Sequence, residues 1–397
     1  MKKKTLPILL ILALALGTVW VVEPVSLNPF GQVNVPKSMG DANFDCDQNS
    51  YPYYMDFEQR ANALVDEHIK HGDFLGVAAG YYHEGCGSYI AGAGFSSKHK
   101  QLPTNSNTLM RAASITKPMT AIAIMQLYEN GIIDLDVPIQ RYLKSYPVKA
   151  QGDITIRHLL KHTSGIPHYA SKWEALSFSD YPTLNAATAI FNHKELEFTP
   201  GTQYLYSSYG YTILGAIIEE VTQMSYEEYM RKHVWEMAGM SDTGLEKSRY
   251  RYNNKSKLYL KIGTTYIKSP KTDLSNIYSA GGVQTTVGDL LKFGEAILQG
   301  KLVDHKTLKM MVNATDGLAP AIGDDPYGLG WAVYDHPKLG KIIQHGGSQP
   351  GASSFFAIFL DHSIVTTVLS NSFGSRQSAH SLSYQLAKLT LSPEEMQ

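Results

Sequence analysis

The chain has little cysteine and no excess of charge of either sign. Only Cys46 and Cys86 occur among its 397 residues, and their spacing fits no metal-binding knuckle. Lysine and arginine number 35 against 36 aspartate and glutamate, so the formal net charge is −1. No long basic run is present. This balance argues against nucleic acid as a partner, because binding to its phosphates needs clustered positive charge.

Several enzyme signatures are also missing. The sequence contains no Gly-x-Ser-x-Gly elbow, which disfavours an α/β-hydrolase, and no phosphate-binding P-loop. His158 and His162 are four residues apart on a predicted helix, but no glutamate follows His158 and no third ligand is evident. We therefore predict that the two histidines lie on a packed helix and do not bind a metal. We also predict no other cofactor.

The longest apolar run lies at the N terminus. Three lysines at positions 2–4 precede an uncharged stretch, Leu6–Val22, as in an export signal. Ala15-Leu16-Gly17 offers a cleavage site, but the apolar run continues beyond it. As a helix the stretch would reach about 25 Å, slightly less than a hydrocarbon core of about 30 Å. Residues 1–24 are therefore predicted to be a signal peptide or a membrane anchor through residues 6–22. Either outcome places the rest of the chain outside the cytoplasm, in the periplasm or cell envelope.

An exported location bears on the two cysteines. An oxidising compartment permits a disulfide between Cys46 and Cys86. Their positions in the sequence do not show that they meet, so two separate thiols in loops remain an open alternative.

The order of helical and strand-like segments predicts the fold class. Strands near both ends of the chain enclose a mostly helical and loop-rich middle, and residues 25–54 have the composition of a linker. We predict an α/β (α+β) fold in which residues 55–131 and 276–397 form one domain, an antiparallel sheet flanked by helices. Residues 132–275 are predicted to be an inserted, mostly helical domain. The predicted elements are helices at Phe57–Ile69, Met119–Tyr128, Val287–Leu298 and Ala379–Leu391, and strands at Leu75–Tyr82, Ser88–Phe95, Ser353–Leu360 and Ile364–Ser370.

Ser114 and Lys117 stand where the most apolar helix begins. The segment Met119–Tyr128 is apolar on almost every side, which predicts a buried helix, and Pro118 fits only its first turn. Residues i and i+3 share a helix face, and a lysine with a pKa lowered by burial can activate a serine. The polar segment Ser97-Lys98-His99-Lys100 has the same spacing, so the pattern alone carries little weight. The buried helix distinguishes the first copy.

Two further polar clusters occur downstream. Tyr206-Ser207-Ser208 lies just before a predicted helix, and His345-Gly346-Gly347-Ser348 follows the apolar pair Ile342-Ile343. Paired glycines at a strand end let a substrate backbone approach closely. Taken alone, the first cluster is compatible with aromatic packing and the second with an ordinary glycine-rich turn.

In this order, Ser-x-x-Lys, Tyr-Ser-Ser and His-Gly-Gly resemble the three active-site motifs of the serine β-lactamase and penicillin-binding-protein superfamily. The class C-like branch, which includes DD-peptidases, esterases and aminopeptidases, is the most similar. The resemblance extends from about Tyr54 to the C terminus. Similar flanking stretches are residues 154–165, 278–290 and 327–331, while residues 164–169 and 206–212 look closest to mitochondrial serine β-lactamase-like peptidases.

The resemblance implies a role for each motif. Ser114 would be the nucleophile that forms an acyl-enzyme, and Lys117 would help to take its proton. Tyr206 would act as, or share, the general base, which requires its pKa of about 10 to be lowered by neighbouring cations. The backbone N–H groups of Ser114 and Ser348 would form the oxyanion hole.

Two departures from the family pattern affect the predicted substrate. Ser208 stands where β-lactamases usually have asparagine, and a hydroxyl lacks the paired donor and acceptor of an amide. His345 stands where many relatives have lysine, and histidine carries little charge at neutral pH. Ser208 and His345, together with Gly347 and Ser348, are predicted to contact the substrate. The two departures predict weaker binding of β-lactams.

The resulting hypothesis is an exported serine hydrolase that forms an acyl-enzyme and acts on a small molecule or peptide, as a peptidase or esterase. The alternatives are a β-lactamase, a D-alanyl-D-alanine carboxypeptidase, or a non-catalytic relative that binds peptide or cell wall. The sequence does not determine the oligomeric state.

Overall fold

Apart from Pro24, the predicted signal or anchor lies outside the part of the chain whose structure can be described. In the computed structural model, residues 24–25, 35–46, 52–169, 177–314 and 326–391 are described. No helix within these ranges is long and apolar enough to cross a membrane.

Short and long strands alternate with helices along the chain. The strands are β1 Pro24–Val25, β2 Met39–Phe44, β3 Gly76–His83, β4 Gly87–Ser97, β5 Leu102–Pro103, β6 Met110–Arg111, β7 Gly244–Leu245, β8 Tyr259–Ile262, β9 Thr265–Lys268, β10 Val283–Thr285, β11 Ala332–His336, β12 Gly340–Gln349, β13 Ala352–Phe359, β14 Ile364–Ser370 and β15 Ser372–Phe373. The α-helices are α1 Phe57–Lys70, α2 Thr116–Glu129, α3 Ile156–Leu160, α4 Leu184–Ala187, α5 Ser208–Thr222, α6 Tyr226–Met230, α7 Tyr278–Gly281, α8 Val287–Leu298, α9 His305–Met311 and α10 Arg376–Lys388. Single 3₁₀ or π turns occur at Pro52–Tyr54, Ala113–Ile115, Ile139–Arg141, Thr188–Ile190, Arg231–Trp235, Ser275–Ile277 and Leu360–His362.

A large antiparallel sheet forms the centre of the molecule. Its strand order is β11-β12-β13-β14-β3-β4-β2, so strands from both ends of the chain meet where β14 pairs with β3. Helices α1 and α10 pack on one face through an apolar cluster that includes Phe57, Val65 and Leu382. Helix α8 packs on the other face, where Leu291 contacts the strands. The predicted antiparallel sheet flanked by helices is therefore confirmed.

Most of the predicted elements occur with small changes in their bounds. Helix α8 has the predicted bounds, and β13 pairs with β14 as the predicted hairpin. The closing helix begins three residues before the predicted Ala379, at Arg376. Helix α2 is buried from Thr116 to Leu127, as its apolar composition predicts.

Part of the predicted linker is an edge strand. β2 pairs with β4, although Met39 is 76% exposed and the segment contains glycine, aspartate and asparagine, which have low strand propensity. A disulfide joins Cys46, just beyond this strand, to Cys86 in the β3–β4 turn. Of the two alternatives for the cysteines, the structure has the disulfide. The β2 strand is held by long-range pairing and not by its local composition.

The middle of the chain contains strands as well as helices. Helices α3 to α6 lie in residues 132–275, together with a hairpin in which β8 and β9 flank Gly263-Thr264. β8 pairs in parallel with β15, and β9 pairs with β1. This hairpin, which was not predicted from the sequence, is one wall of the cavity described below. The division into two domains stays a prediction.

Candidate active site

A cavity of about 1010 Å³ opens beside the edge of the main sheet, and the three motifs meet there. Its lining includes one or more residues from each motif. Lys117 and Gly347 lie behind this lining, as their contacts show. The predicted residues in the lining are Ser114, Tyr206, Ser208, His345 and Ser348.

Ser114 sits on a tight turn that leads into α2. The preceding Ala113 has φ +50°, in the left-handed region that non-glycine residues avoid. Such a conformation costs about 1–3 kcal/mol and persists only when the surrounding structure enforces it. Here Ser354 Oγ donates a hydrogen bond to Ala112 O at 2.7 Å, which ties the turn to β13. The main sheet therefore fixes the position of the serine.

Lys117 lies one helical turn beyond Ser114 and is fully buried. Its Nζ is 3.1 Å from Ser114 Oγ, 3.2 Å from Ser208 Oγ and 2.8 Å from Ala280 O. Burial lowers the pKa of Lys117 to about 7. A neutral amine has two hydrogens and one lone pair, so it can donate to Ala280 O and Ser208 Oγ while accepting from the Ser114 hydroxyl. The geometry suits a general base.

Tyr206 shows the opposite shift from the one expected of a general base. Burial raises the pKa of Tyr206 to about 12, and the hydrogen bond with Ser114 and the charge of Arg376 lower it only in part. The expectation of a lowered pKa is therefore wrong, because loss of solvation outweighs the nearby positive charge. The phenol stays protonated at neutral pH, where it can act as a hydrogen-bond donor.

Two histidines hold the tyrosine motif in place. His162 Nδ1 accepts a hydrogen bond from the Ser207 N–H at 3.1 Å, and its ring packs 4.3 Å from that of Tyr206, centroid to centroid. His168 Nδ1 accepts from the Ser208 N–H at 3.2 Å. His168 was not among the predicted site residues. Its only signal in the sequence was the family resemblance of residues 164–169.

His158 and His162 do not share a helix face, contrary to the prediction from their spacing. Helix α3 ends before His162, whose φ of +58° reverses the chain. His158 completes a capping box in which its side chain accepts from the Thr155 N–H. Among the residues described, no group of three or more histidine, cysteine or acidic side chains could hold a metal ion.

His345 is a neutral packing residue in this cavity. Its Nδ1 donates to Gly346 O at 2.8 Å, and its Nε2 accepts from the Tyr327 hydroxyl at 2.9 Å. Burial and the nearby charge of Lys117 lower the pKa of His345 to about 3. Both nitrogens are occupied and the ring is uncharged, so His345 does not replace the cationic lysine of relatives.

Gly347 allows the β12 strand to approach the Ser114 turn. A Cβ at this position would collide with Ser354 Oγ and would lie 2.7 Å from Ala112 O. Any larger residue would therefore push β12 away from the serine. The next residue, Ser348, is exposed to the cavity. Gly347 thus shapes the site from behind.

Arg376 provides positive charge that sequence analysis missed. It is the first residue of α10, is exposed at the cavity, and approaches the strand so closely that a Cβ at Gly346 would lie 2.8 Å from its Nε. Its guanidinium has no hydrogen-bond or ion-pair partner among the residues that the structure describes. No local motif marks this arginine, because only the fold brings it beside His345.

Comparison with known proteins agrees with this architecture. The family model described as Beta-lactamase matches residues 61–391. The chain is 28% identical over 327 residues to penicillin-binding protein 4* of Bacillus subtilis, an alignment covering 78% of this chain and 69% of that protein. It is 26% identical over 392 residues to the human mitochondrial serine beta-lactamase-like protein LACTB, covering 75% of this chain and 70% of that protein.

A solved structure has the same fold. The D-amino acid amidase from Ochrobactrum anthropi SV3, complexed with L-phenylalanine amide, superposes with a TM-score of 0.73 at 22% identity. The match covers 84% of this chain and 99% of the amidase chain. The fold predicted from the three motifs is therefore confirmed.

Proposed function

Since the chain belongs to the β-lactamase family of serine hydrolases, we propose that it cleaves peptides or esters through an acyl-enzyme on Ser114. The observation that carries this proposal is the 3.1 Å distance between Ser114 Oγ and the buried Nζ of Lys117. A pKa of about 7 leaves much of this amine neutral at neutral pH, with a lone pair free to take a proton.

The two half-reactions follow from this pairing. Ser114 Oγ attacks the substrate carbonyl carbon as its proton moves to Lys117 Nζ. The backbone N–H groups of Ser114 and Ser348 stabilise the oxyanion. Collapse of the tetrahedral intermediate breaks the bond to the leaving group, which takes the proton from the Lys117 ammonium. A water molecule then attacks the acyl carbon, its proton passes to the lysine, and Ser114 leaves with that proton.

Tyr206 acts in this scheme as a hydrogen-bond donor and not as a base. Its pKa of about 12 keeps the hydroxyl protonated, and its side chain is hydrogen-bonded to Ser114. A donated hydrogen bond to Oγ orients the nucleophile, so that the serine proton points to Lys117. The same phenol can stabilise charge that develops on the leaving atom.

The charges in the cavity favour peptides or esters that carry a carboxylate. His345 is neutral, whereas Arg376 is an unpartnered cation among the described residues at the same cavity. A guanidinium can bind a carboxylate through two parallel hydrogen bonds. This favours a carboxypeptidase acting on a free C terminus as the second candidate. Ser208 offers no amide to a β-lactam side chain, which disfavours an efficient β-lactamase.

We propose that the enzyme is exported. The basic and apolar N-terminal segment supports this proposal, and so does the Cys46–Cys86 disulfide, because such bonds persist in oxidising compartments. Residues 1–24 would be removed or would tether the chain. We also propose that residues 55–131 and 276–397 form one domain, into which residues 132–275 are inserted as a second domain.

Labelling with a fluorophosphonate tests the hydrolase proposal directly. We expect one covalent adduct, on the peptide that contains Ser114, as located by digestion and mass spectrometry. A panel of nitrocefin, a D-Ala-D-Ala peptide, nitrophenyl esters and aminoacyl nitroanilides would then identify the leaving group. A folded protein that forms no adduct and turns over no substrate would contradict the proposal and favour a binding relative.

Removing the charge of Arg376 tests the proposed carboxylate site. For Arg376→Gln we expect KM to rise about tenfold for a peptide with a free C terminus. This increase corresponds to the lower end of the free energy of a hydrogen bond to a charged group, because the arginine is exposed to solvent. The same peptide with an amidated C terminus should show no such rise. Lys388→Gln, at the other end of α10, is the matched control. An equal effect on both peptides would refute the assignment.

A further inference from the structure

One wall of the cavity is apolar and is not used by the reaction scheme. Ile262 is 61% exposed and Phe373 is 36% exposed, and apolar side chains exposed together on one surface are typical of ligand-binding grooves. Both line the same cavity as Ser114. We name this wall the hairpin subsite, and its residues are Leu260, Ile262, Pro270, Phe355 and Phe373.

The pairing of the strands explains why these side chains face the cavity. In β8, Leu260 and Ile262 are two residues apart and therefore project from the same face. Lys261, between them, also lines the cavity, but its Nζ donates to the carbonyl of Asp73 at 3.4 Å. The parallel pairing with β15 sets Leu260 opposite Phe373, so two separate segments contribute to one apolar surface.

The wall is fixed to the body of the protein. Tyr266, in β9, is fully buried and donates a hydrogen bond to Gly72 O at 2.7 Å. Ser375, just before α10, donates to Asp73 O at 2.6 Å. One loop therefore holds both the hairpin and the beginning of α10. A preformed apolar surface can bind a ligand without first being ordered.

From this arrangement we propose that the hairpin subsite binds a large apolar group of the substrate, an alkyl chain or an aromatic side chain, while Ser114 attacks the neighbouring carbonyl. This inference rests on the proposed function and names the substrate class: esters or peptides with a bulky apolar group near the scissile bond. That occupant is supported because Phe355, Phe373 and Ile262 line the same cavity as Ser114.

Alkyl fluorophosphonates with two, four and eight carbons test this inference directly, because they react with the nucleophile whatever the natural substrate is. Each methylene transferred from water to an apolar wall should raise the second-order labelling rate by about threefold, somewhat less than for full burial. In Ile262→Ser the ratio of the octyl to the ethyl rate should fall at least tenfold. Phe373→Ser should lower the same ratio, and the melting temperature of each variant would verify its fold.

Ile132→Ser is the matched control, because Ile132 is 48% exposed and does not line the cavity. It should keep the octyl to ethyl ratio of the parent protein. Equal labelling by all three reagents, or an unchanged ratio in both Ile262→Ser and Phe373→Ser, would overturn the hairpin subsite and leave the hydrolase proposal intact. Failure of every reagent to label the folded parent protein would instead overturn both proposals.

Discussion

Replacing Ser114 with alanine is expected to lower kcat by about 10⁶-fold, the magnitude found when an activated nucleophilic serine is removed. The variant should lose fluorophosphonate labelling completely. Because Ser114 is only partly buried and the turn is held through Ala112, loss of one hydroxyl should leave the melting temperature nearly unchanged. Turnover of the best ester substrate and thermal unfolding, measured on the same preparation, would check both points.

The second Ser-x-x-Lys sequence supplies the control for this variant. Ser97 lies at the end of β4 and has the same spacing to a lysine as Ser114, but it does not line the cavity. Ser97→Ala should keep the turnover of the parent protein. Substantial turnover in Ser114→Ala, or a comparable loss in Ser97→Ala, would contradict the assignment of the nucleophile.

Features that depend on local pattern were predictable from the sequence. The segment after Pro118 is apolar on almost every side, which predicts a buried helix. Because Ser114 and Lys117 are three residues apart at the start of this helix, their side chains lie next to each other. The strands β13 and β14 follow from runs rich in β-branched and aromatic residues about a short turn. In each case the sequence pattern that predicts the structure lies within one segment of the chain.

Features that depend on distant pairing were not predictable. The β2 strand has no local strand signal and is defined by its pairing with β4 and by the nearby disulfide. Arg376 became part of the site because α10 begins beside β12, a proximity that no spacing in the sequence reveals. The hairpin β8–β9 has a signal in retrospect, since β-branched residues flank Gly263-Thr264, but they lie within a loop-rich stretch.

Protonation states were the least accessible part of the site. A tyrosine near lysine and arginine suggests a lowered pKa, yet burial raises the pKa of Tyr206 to about 12. The same burial lowers the pKa of Lys117 to about 7. Desolvation disfavours the charged form of each group, so it moves the two pKa values in opposite directions and transfers the role of base from the phenol to the amine.

Replacing Lys117 with methionine is expected to lower kcat/KM by about 10²–10⁴-fold, the usual contribution of a general base. Methionine fills a similar volume, so the apolar contacts within α2 should be kept. Ala280 O would lose its hydrogen bond, but the cost of burying an amine would also disappear, so the melting temperature should change little. Lys100→Met, which changes the lysine of the second Ser-x-x-Lys sequence, is the matched control and should retain turnover.

The pH dependence separates Lys117 from Tyr206 and His345. Protonation removes the lone pair of the amine, so kcat/KM should fall as the pH drops below about 7, the pKa of Lys117 in the free enzyme. Tyr206, with a pKa of about 12, stays protonated and His345, with a pKa of about 3, stays neutral across this range, so neither adds a limb between pH 5 and about pH 10. The residual activity of Lys117→Met should lack the acid limb. A limb that persists unchanged in this variant, or turnover close to that of the parent protein, would show that another group accepts the serine proton.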